Sequence, residues 1–305
     1  MRRRGATTLC GILLVDKPSG MTSHDVVAIV RRETGEGRVG HAGTLDPMAT
    51  GLLVVLIGPF TRLGTFLSAD HKSYLARIVF GSETDTDDAE GSVVRTAPVP
   101  DAVLDPAYAT TMLADAIGAT SQTPPAYSAI KLDGRVAHRA ARAGEGLALQ
   151  PRPVQVLRAV LTAIDPSVPS WDVDYIVSKG TYVRALARDL GRACGTAAHL
   201  GALVRTASGP LALANAHSLA TVVEASAEDR IEDLFTEPIA ALDLPAIEAD
   251  AADLSDGKSL PVGDAEGASD GSLYAVTSGG KLAGVYRVCK GRLVPAVVLP
   301  RGGVA

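Results

Sequence analysis

Cysteine is scarce in this chain of 305 residues, and its scarcity removes two kinds of architecture. Cys10, Cys194 and Cys289 are odd in number, far apart and without paired spacing. They supply neither a disulfide framework nor a zinc site, and they fit a reducing compartment. No apolar run approaches the length of a membrane span. Arg2-Arg3-Arg4 before Leu9 to Val15 resembles a leader, but the apolar stretch is short and runs into Asp16-Lys17-Pro18 instead of a small-residue cleavage site. It reads as a first strand behind a basic tail. His-Glu-x-x-His is missing. Gly35 to Gly40 spells a dinucleotide fingerprint, yet it follows a helical segment and no strand–turn–helix unit begins there. Gly257-Lys258-Ser259 ends like a phosphate loop, but Ala252 stands where the first glycine belongs. Asp85, Asp87 and Asp88 lack the ordered ligand spacing of an EF-hand and read as a solvated acidic loop.

An excess of positive charge is also missing, since the net charge is −5. Taken whole, that argues against nucleic acid as a partner; its distribution does not. Residues 1–80 carry ten Lys/Arg against six Asp/Glu, and residues 121–210 carry eleven against six. Residues 81–120 carry one against eight, and residues 211–305 seven against fourteen. For phosphate contact a local basic face matters more than the total.

What is present reads as α+β. Leu9 to Val15 predicts a strand. Thr22 to Arg32 predicts a helix, with Thr22 or Ser23 as its cap and Val26, Ile29 and Val30 on one face. Leu52 to Ile57 predicts a buried strand, and Tyr74 to Phe80 a strand with one wet side. Residues 82–100 read as an exposed acidic loop, and residues 105–117 as a helix. Pro124 to Gly146 mixes Pro, Gly and basic residues and reads as a projecting, partly mobile segment. Val154 to Ile164 and Asp172 to Val177 read as paired strands, and Tyr182 to Cys194 as a helix with Val183, Leu186, Ala187 and Leu190 at helical spacing. Strands and helices do not alternate regularly, which disfavours a doubly wound parallel sheet. From about residue 240 the texture changes to short apolar runs divided by glycine, at Leu273 to Val276, Leu282 to Val288 and Leu293 to Leu299. That pattern predicts a small β-rich module.

The most informative stretch is Gly40-His41-Ala42-Gly43-Thr44-Leu45-Asp46-Pro47-Met48-Ala49-Thr50-Gly51. Gly43, Pro47 and Gly51 so close together exclude a helix, so Asp46 lies on irregular backbone just before a buried strand. Loops on rigid strands are where catalytic groups concentrate. An Asp in such a place also serves, with no catalytic role, by bonding backbone amides of its own turn.

This stretch resembles the signature of the tRNA pseudouridine-55 synthase family, Gly-His-x-Gly-x-Leu-Asp-Pro-x-Ala-x-Gly, at every fixed position. Other pieces resemble that family in the same order: Lys17-Pro18-Ser19-Gly20-Met21-Thr22-Ser23, Lys72-Ser73-Tyr74, Gln122 to Lys131, Gly180-Thr181-Tyr182-Val183-Arg184, and Leu203-Val204-Arg205-Thr206. Several spaced matches are far more specific than any single motif.

The resemblance implies a pseudouridine-synthase catalytic domain over residues 1–240, with a mixed, largely antiparallel central sheet. It implies an RNA-clamping insertion over 124–146, with Lys131, Arg135, Arg139 and Arg142, and a PUA-like RNA-binding domain over 241–305. Family members often carry a tyrosine where His138 stands. The implied reaction breaks the bond from ribose carbon 1′ to the base nitrogen, turns the base and rejoins it through carbon 5, with no cofactor and no metal. Asp46 is the implied carboxylate. It either attacks carbon 1′ or removes the carbon 2′ proton, and the residues leave that choice open. A carboxylate in a dry pocket stays ionised only beside a positive partner, and Arg184 matches the family position that supplies one. As an isolated residue Arg184 would be a surface arginine, although a first helical turn disfavours positive charge. Tyr74 matches the family's active-site tyrosine, placed to stack on a flipped base; alone it would be read as packing. Tyr182 and Leu203 match positions lining the uracil pocket, His41 matches a histidine near splayed nucleotides, and Lys17 with Pro18 shapes the pocket floor. The implied partner is the T arm of tRNA, with no membrane, no obligatory protein partner, a monomeric state and a cytoplasmic location.

Overall fold

A computed structural model describes residues 9–300 apart from 69, 129, 133–134, 138–139, 141–142, 144, 146, 252, 255–257 and 263–267. Arg2 to Arg4, His138, Arg139, Arg142, Ala252 and Gly257, which the sequence reading singled out, lie outside the described residues, as does the side chain of Lys131. The chain divides into two compact units. One comprises Met1–Pro47, Gly51–Ala69 and Gly209–Ala305; the other comprises Met48–Thr50 and Asp70–Ser208.

The first unit opens with strand β1 (Gly11–Lys17) and helix α1 (Ser23–Thr34). Thr22 caps the helix by accepting the Asp25 amide, while the Asp25 carboxylate accepts the Thr22 amide, so two of the orphan amides of the first turn are satisfied reciprocally. Val26, Val27 and Val30 form the buried face. β2 (Val39–Ala42) and β3 (Thr50–Ile57) follow. β3 runs antiparallel to β1, from Gly11 opposite Ile57 to Lys17 opposite Gly51, and also antiparallel to β2.

In the second unit β4 (His71–Phe80) alternates inward and outward, with Tyr74, Ala76, Ile78 and Phe80 buried and His71, Leu75 and Arg77 exposed. The chain continues through a hairpin, β5 (Ser82–Thr84) and β6 (Val93–Thr96), then α2 (Pro106–Asp115) and β7 (Gly118–Gln122). A short hairpin of β8 (Lys131–Leu132) and β9 (Arg135–Val136) precedes β10 (Arg152–Asp165) and β11 (Ser170–Ser178). Helix α3 (Val183–Ala193) and β12 (Ala198–Ser208) complete it. The sheet runs β12-β4-β11-β10-β7 and is antiparallel throughout. Its core centres on Trp171, which is fully buried, meets Phe80 edge-on at 4.8 Å and donates its indole N–H to the Val103 carbonyl at 2.7 Å.

Back in the first unit, β13 (Leu211–Ala212), β14 (His217–Ser218), α4 (Leu219–Ala227), β15 (Phe235–Thr236) and α5 (Pro238–Leu242) lead on. β14 pairs parallel and β15 antiparallel with β1. The β-rich end then forms a five-stranded sheet in the order β16 (Ala246–Glu248), β18 (Leu273–Ser278), β19 (Lys281–Cys289), β20 (Arg292–Val298) and β17 (Leu260–Pro261). Ile12, Leu14, Val54, Leu56 and Phe60 share one buried cluster with Ala275, Leu282, Val285 and Val297. Arg62 ties the same faces by donating to the Val298 carbonyl at 2.6 Å. The sheets of the chain are thus mixed and largely antiparallel, with few helices, as an α+β reading requires.

One expectation fails in an informative way. The front half of the acidic stretch is not an exposed loop: Glu83, Thr84, Asp87 and Asp88 are all buried, whereas all four residues of β6 are exposed.

Candidate active site

The first unit carries Lys17, His41 and Asp46. Gly43 and Gly51 flank the Asp46 loop at φ of +94°, a backbone region that side chains resist. The residues on either side of Asp46 are pinned through their backbones. Ser23, the first residue of α1, accepts the Leu45 amide at 2.9 Å and donates its hydroxyl to the Leu45 carbonyl at 3.1 Å. The Pro47 carbonyl accepts the Gly20 amide at 2.9 Å and the Lys17 ammonium at 3.2 Å. Lys17 is fully buried and also donates to the carbonyls of Pro18 at 2.9 Å and Met21 at 2.6 Å. These contacts make it a tether between the first motif and the Asp46 loop. His41 is half-buried on β2 and meets the exposed His24 edge-on, with ring centroids 5.5 Å apart. Asp46 itself is half-buried. The sequence offered Ser23 as an alternative cap to Thr22; the fold gives the cap to Thr22 and turns the serine to another loop.

The second unit carries Tyr74, Tyr182, Arg184 and Leu203. Tyr74 on β4 is 7% exposed and lies opposite Tyr175 of β11 and Arg205 of β12. Arg205, buried, hydrogen-bonds the Tyr74 side chain. Burial pulls its pKa below the ordinary arginine value, and the tyrosine works against that shift. Leu203 is buried one register step away, opposite Ala76.

Tyr182 is the residue from which α3 starts, and its backbone is clasped by one side chain. Gln122 accepts the Tyr182 amide at 2.9 Å and donates to its carbonyl at 3.1 Å. Two residues on, Arg184 is only 5% exposed, so it is not a surface arginine. It donates to the carbonyls of Thr86 at 2.8 Å and Tyr127 at 2.9 Å, and lies 3.5 Å from the Asp88 carboxylate. Arg188 and Arg192 repeat the arrangement at helical spacing. Arg188 reaches Asp87 at 2.8 Å and the Thr123 carbonyl at 3.0 Å; Arg192 makes a two-pronged contact with Glu83 at 3.0 and 2.7 Å. Arg95 adds a second cation to Glu83 at 2.6 Å. Burial dominates at Asp87 and raises its pKa, whereas the Arg192 hydrogen bond dominates at Glu83 and lowers it. Asp85 instead accepts the Ser92 amide at 2.8 Å. Glu83, Asp87 and Asp88 are counter-charges for α3, and among the described residues no group of three or more His, Cys, Asp or Glu is placed to hold a metal ion. The spacing of Arg184, Arg188 and Arg192 was legible in the sequence as one helical stripe.

The family model described as "TruB family pseudouridylate synthase (N terminal domain)" matches residues 31–183. A second, "tRNA pseudouridylate synthase B C-terminal domain", matches residues 184–244. A tRNA pseudouridine synthase B of Leifsonia xyli subsp. xyli is 41% identical over 90% of this chain and 91% of its own length. The protein of that name from Mycobacterium tuberculosis is 42% identical over 87% of this chain and 91% of its own. The chain belongs to the TruB family of pseudouridylate synthases. Membership makes it an enzyme that isomerises uridine in tRNA. Among solved structures, a Cbf5-Nop10-Gar1 complex matches with a TM-score of 0.72 at 23% identity, covering 97% of this chain and 85% of that one. An H/ACA RNP bound to a substrate RNA containing 2'-deoxyuridine matches with a TM-score of 0.70 at 21% identity, covering 97% and 87%. Both share the pseudouridine-synthase fold, including the β-rich, PUA-like end.

Proposed function

We propose that this chain converts uridine 55 in the T arm of tRNA to pseudouridine, with Asp46 as the reacting carboxylate. The observation that carries the reading is the Asp46 loop. Its sequence matches the family signature at every fixed position, and both residues beside Asp46 are held through their backbones, by Ser23 and by Lys17 with Gly20. A reacting group must be held to within a fraction of an ångström, and fixing the backbone on both sides of it contributes to that.

The target uridine is stacked inside a folded arm, so it has to be extruded, at a cost of a few kcal/mol. Tyr74 offsets that cost by stacking on the base, Leu203 and Tyr182 wall the uracil, and His41 meets the splayed neighbours. Arg184 provides the positive charge that favours the ionised carboxylate. The detached base is turned while still enclosed, and carbon 5 takes the bond to ribose that nitrogen gave up. The proton that leaves carbon 5 is balanced by the one gained at nitrogen, so no oxidant or reductant is consumed. The chain is read as a cytoplasmic monomer acting without a protein partner. Among the described residues no helix is long and apolar enough to cross a membrane. Residues 1–240 are read as the catalytic part, 124–146 as a clamp on the arm and 241–305 as an RNA-binding part.

The test is a tRNA transcript treated with the protein, reacted with a carbodiimide that marks pseudouridine, and read by primer extension. A stop at position 55 alone is expected. A stop at another uridine, with none at 55, contradicts the assignment of the target.

A further inference from the structure

Lys72 sits where a lysine has no structural reason to be. On β4 the buried face is Tyr74, Ala76, Ile78 and Phe80, and Lys72 continues that face by one more step of two. It is half-buried, opposite Val177 of β11 and Ser208 of β12. Its ammonium forms no hydrogen bond or ion pair among the described residues. The charged groups that act on it are both cations, Arg205 from β12 and Lys179 from the turn after β11. Lys179 has its own carboxylate, Asp70 at 2.6 Å. On this face Tyr74 of β4 and, opposite it, Tyr175 of β11 also titrate, and His71 points to the opposite, exposed one. Partial burial, together with these two cations, pulls the Lys72 pKa down to about 8. A half-buried cation among cations raises the energy of the empty protein, and an arriving anion relieves it.

We propose that Lys72 is a ligand for an RNA backbone phosphate beside the uridine that stacks on Tyr74. This rests on the functional reading above, with Tyr74 as the stacking ring. Two residues along a strand span about 7 Å, so a phosphate next to a base on Tyr74 is within reach of a lysine stem. An ammonium suits the part: it is a compact point charge with three donors and no acceptor, the usual partner of a phosphodiester. Arg205 is held by Tyr74 and is almost wholly enclosed, so Lys72 is the cation of this pair that solvent and RNA can reach.

The experiment measures binding of a fluorescent T-arm stem-loop as a function of salt and pH, in an Asp46→Asn background that prevents turnover. It compares Lys72, Lys72→Gln and Lys72→Arg; tritium release is followed separately with Asp46 intact. One lost phosphate contact reduces the slope of log K against log salt by about 0.7 to 0.9. Lys72→Gln is expected to show that reduction and Lys72→Arg to keep the parent slope. Between pH 7 and pH 9 the parent loses affinity as Lys72 deprotonates, and Lys72→Arg does not. Unchanged slope and affinity in Lys72→Gln, or an unchanged pH profile in Lys72→Arg, overturns the proposal while tritium release by the parent leaves the functional reading standing. A parent that neither binds nor releases tritium overturns both.

Discussion

The Gln122 side chain closes on the Tyr182 backbone from both sides, accepting the amide at 2.9 Å and donating to the carbonyl at 3.1 Å across sixty residues of chain. Gln122 is 2% exposed, so water does not replace either bond when one is lost. It fixes the point at which α3 begins, and with it the direction in which Arg184 leaves the helix.

Gln122→Glu is the sharpest test of that clasp. The carboxylate still accepts the amide but faces the Tyr182 carbonyl without a proton to donate. A buried acceptor left unmatched costs about 1–3 kcal/mol, and urea unfolding should show a loss of that size. Single-turnover isomerisation is expected to slow about tenfold or more, with a smaller change in KM. A variant as fast as the parent would mean that the clasp is structural only.

Ser23→Ala tests the other loop. It strips both partners from the Leu45 backbone, two groups in a buried setting, so a stability loss of about 1–3 kcal/mol is expected in chemical denaturation. The larger effect should fall on kcat, because Leu45 precedes Asp46. Ser23→Thr keeps the hydroxyl and should restore part of the rate; a Thr variant no better than Ala would remove the hydrogen bonds from the explanation.

Much of the architecture is legible in the sequence because it is locally coded. Thr22 and Asp25 spell a capping box, β4 shows strict alternation, and the glycines around Asp46 exclude helix. The burial of Glu83, Asp87 and Asp88 was hidden because acidic composition reports solvent preference, and the arginines that override it lie about a hundred residues later on α3. The roles of Ser23 and Gln122 were hidden for the same reason, since each works on backbone 22 or 60 residues away. Nor does the change of texture near residue 240 reveal that β18 to β20 share a core cluster with β1 and β3.

The pairing of Glu83 with Arg192 and Arg95 has a pH signature. The Arg192 hydrogen bond, ahead of Arg95, holds the Glu83 carboxyl below its ordinary value, against the effect of burial. A carboxylate with a lowered folded pKa stabilises the protein above its unfolded pKa, about 4.3, and loses that contribution as pH falls through the folded value. Asp87 acts in the opposite sense, because burial raises its pKa. Arg192→Met should therefore lower the urea midpoint at pH 7, and the gap to the parent should close as pH drops below about 4. A gap that stays constant down to pH 3 would contradict the assignment.

The central claim is that Asp46 drives the isomerisation of uridine in the T arm. T-arm RNA carrying tritium at carbon 5 of its uridines tests it directly, because the bond to that tritium breaks only when carbon 5 takes up the ribose. The account predicts release by the native chain and none by Asp46→Asn. Equal release by both would contradict it.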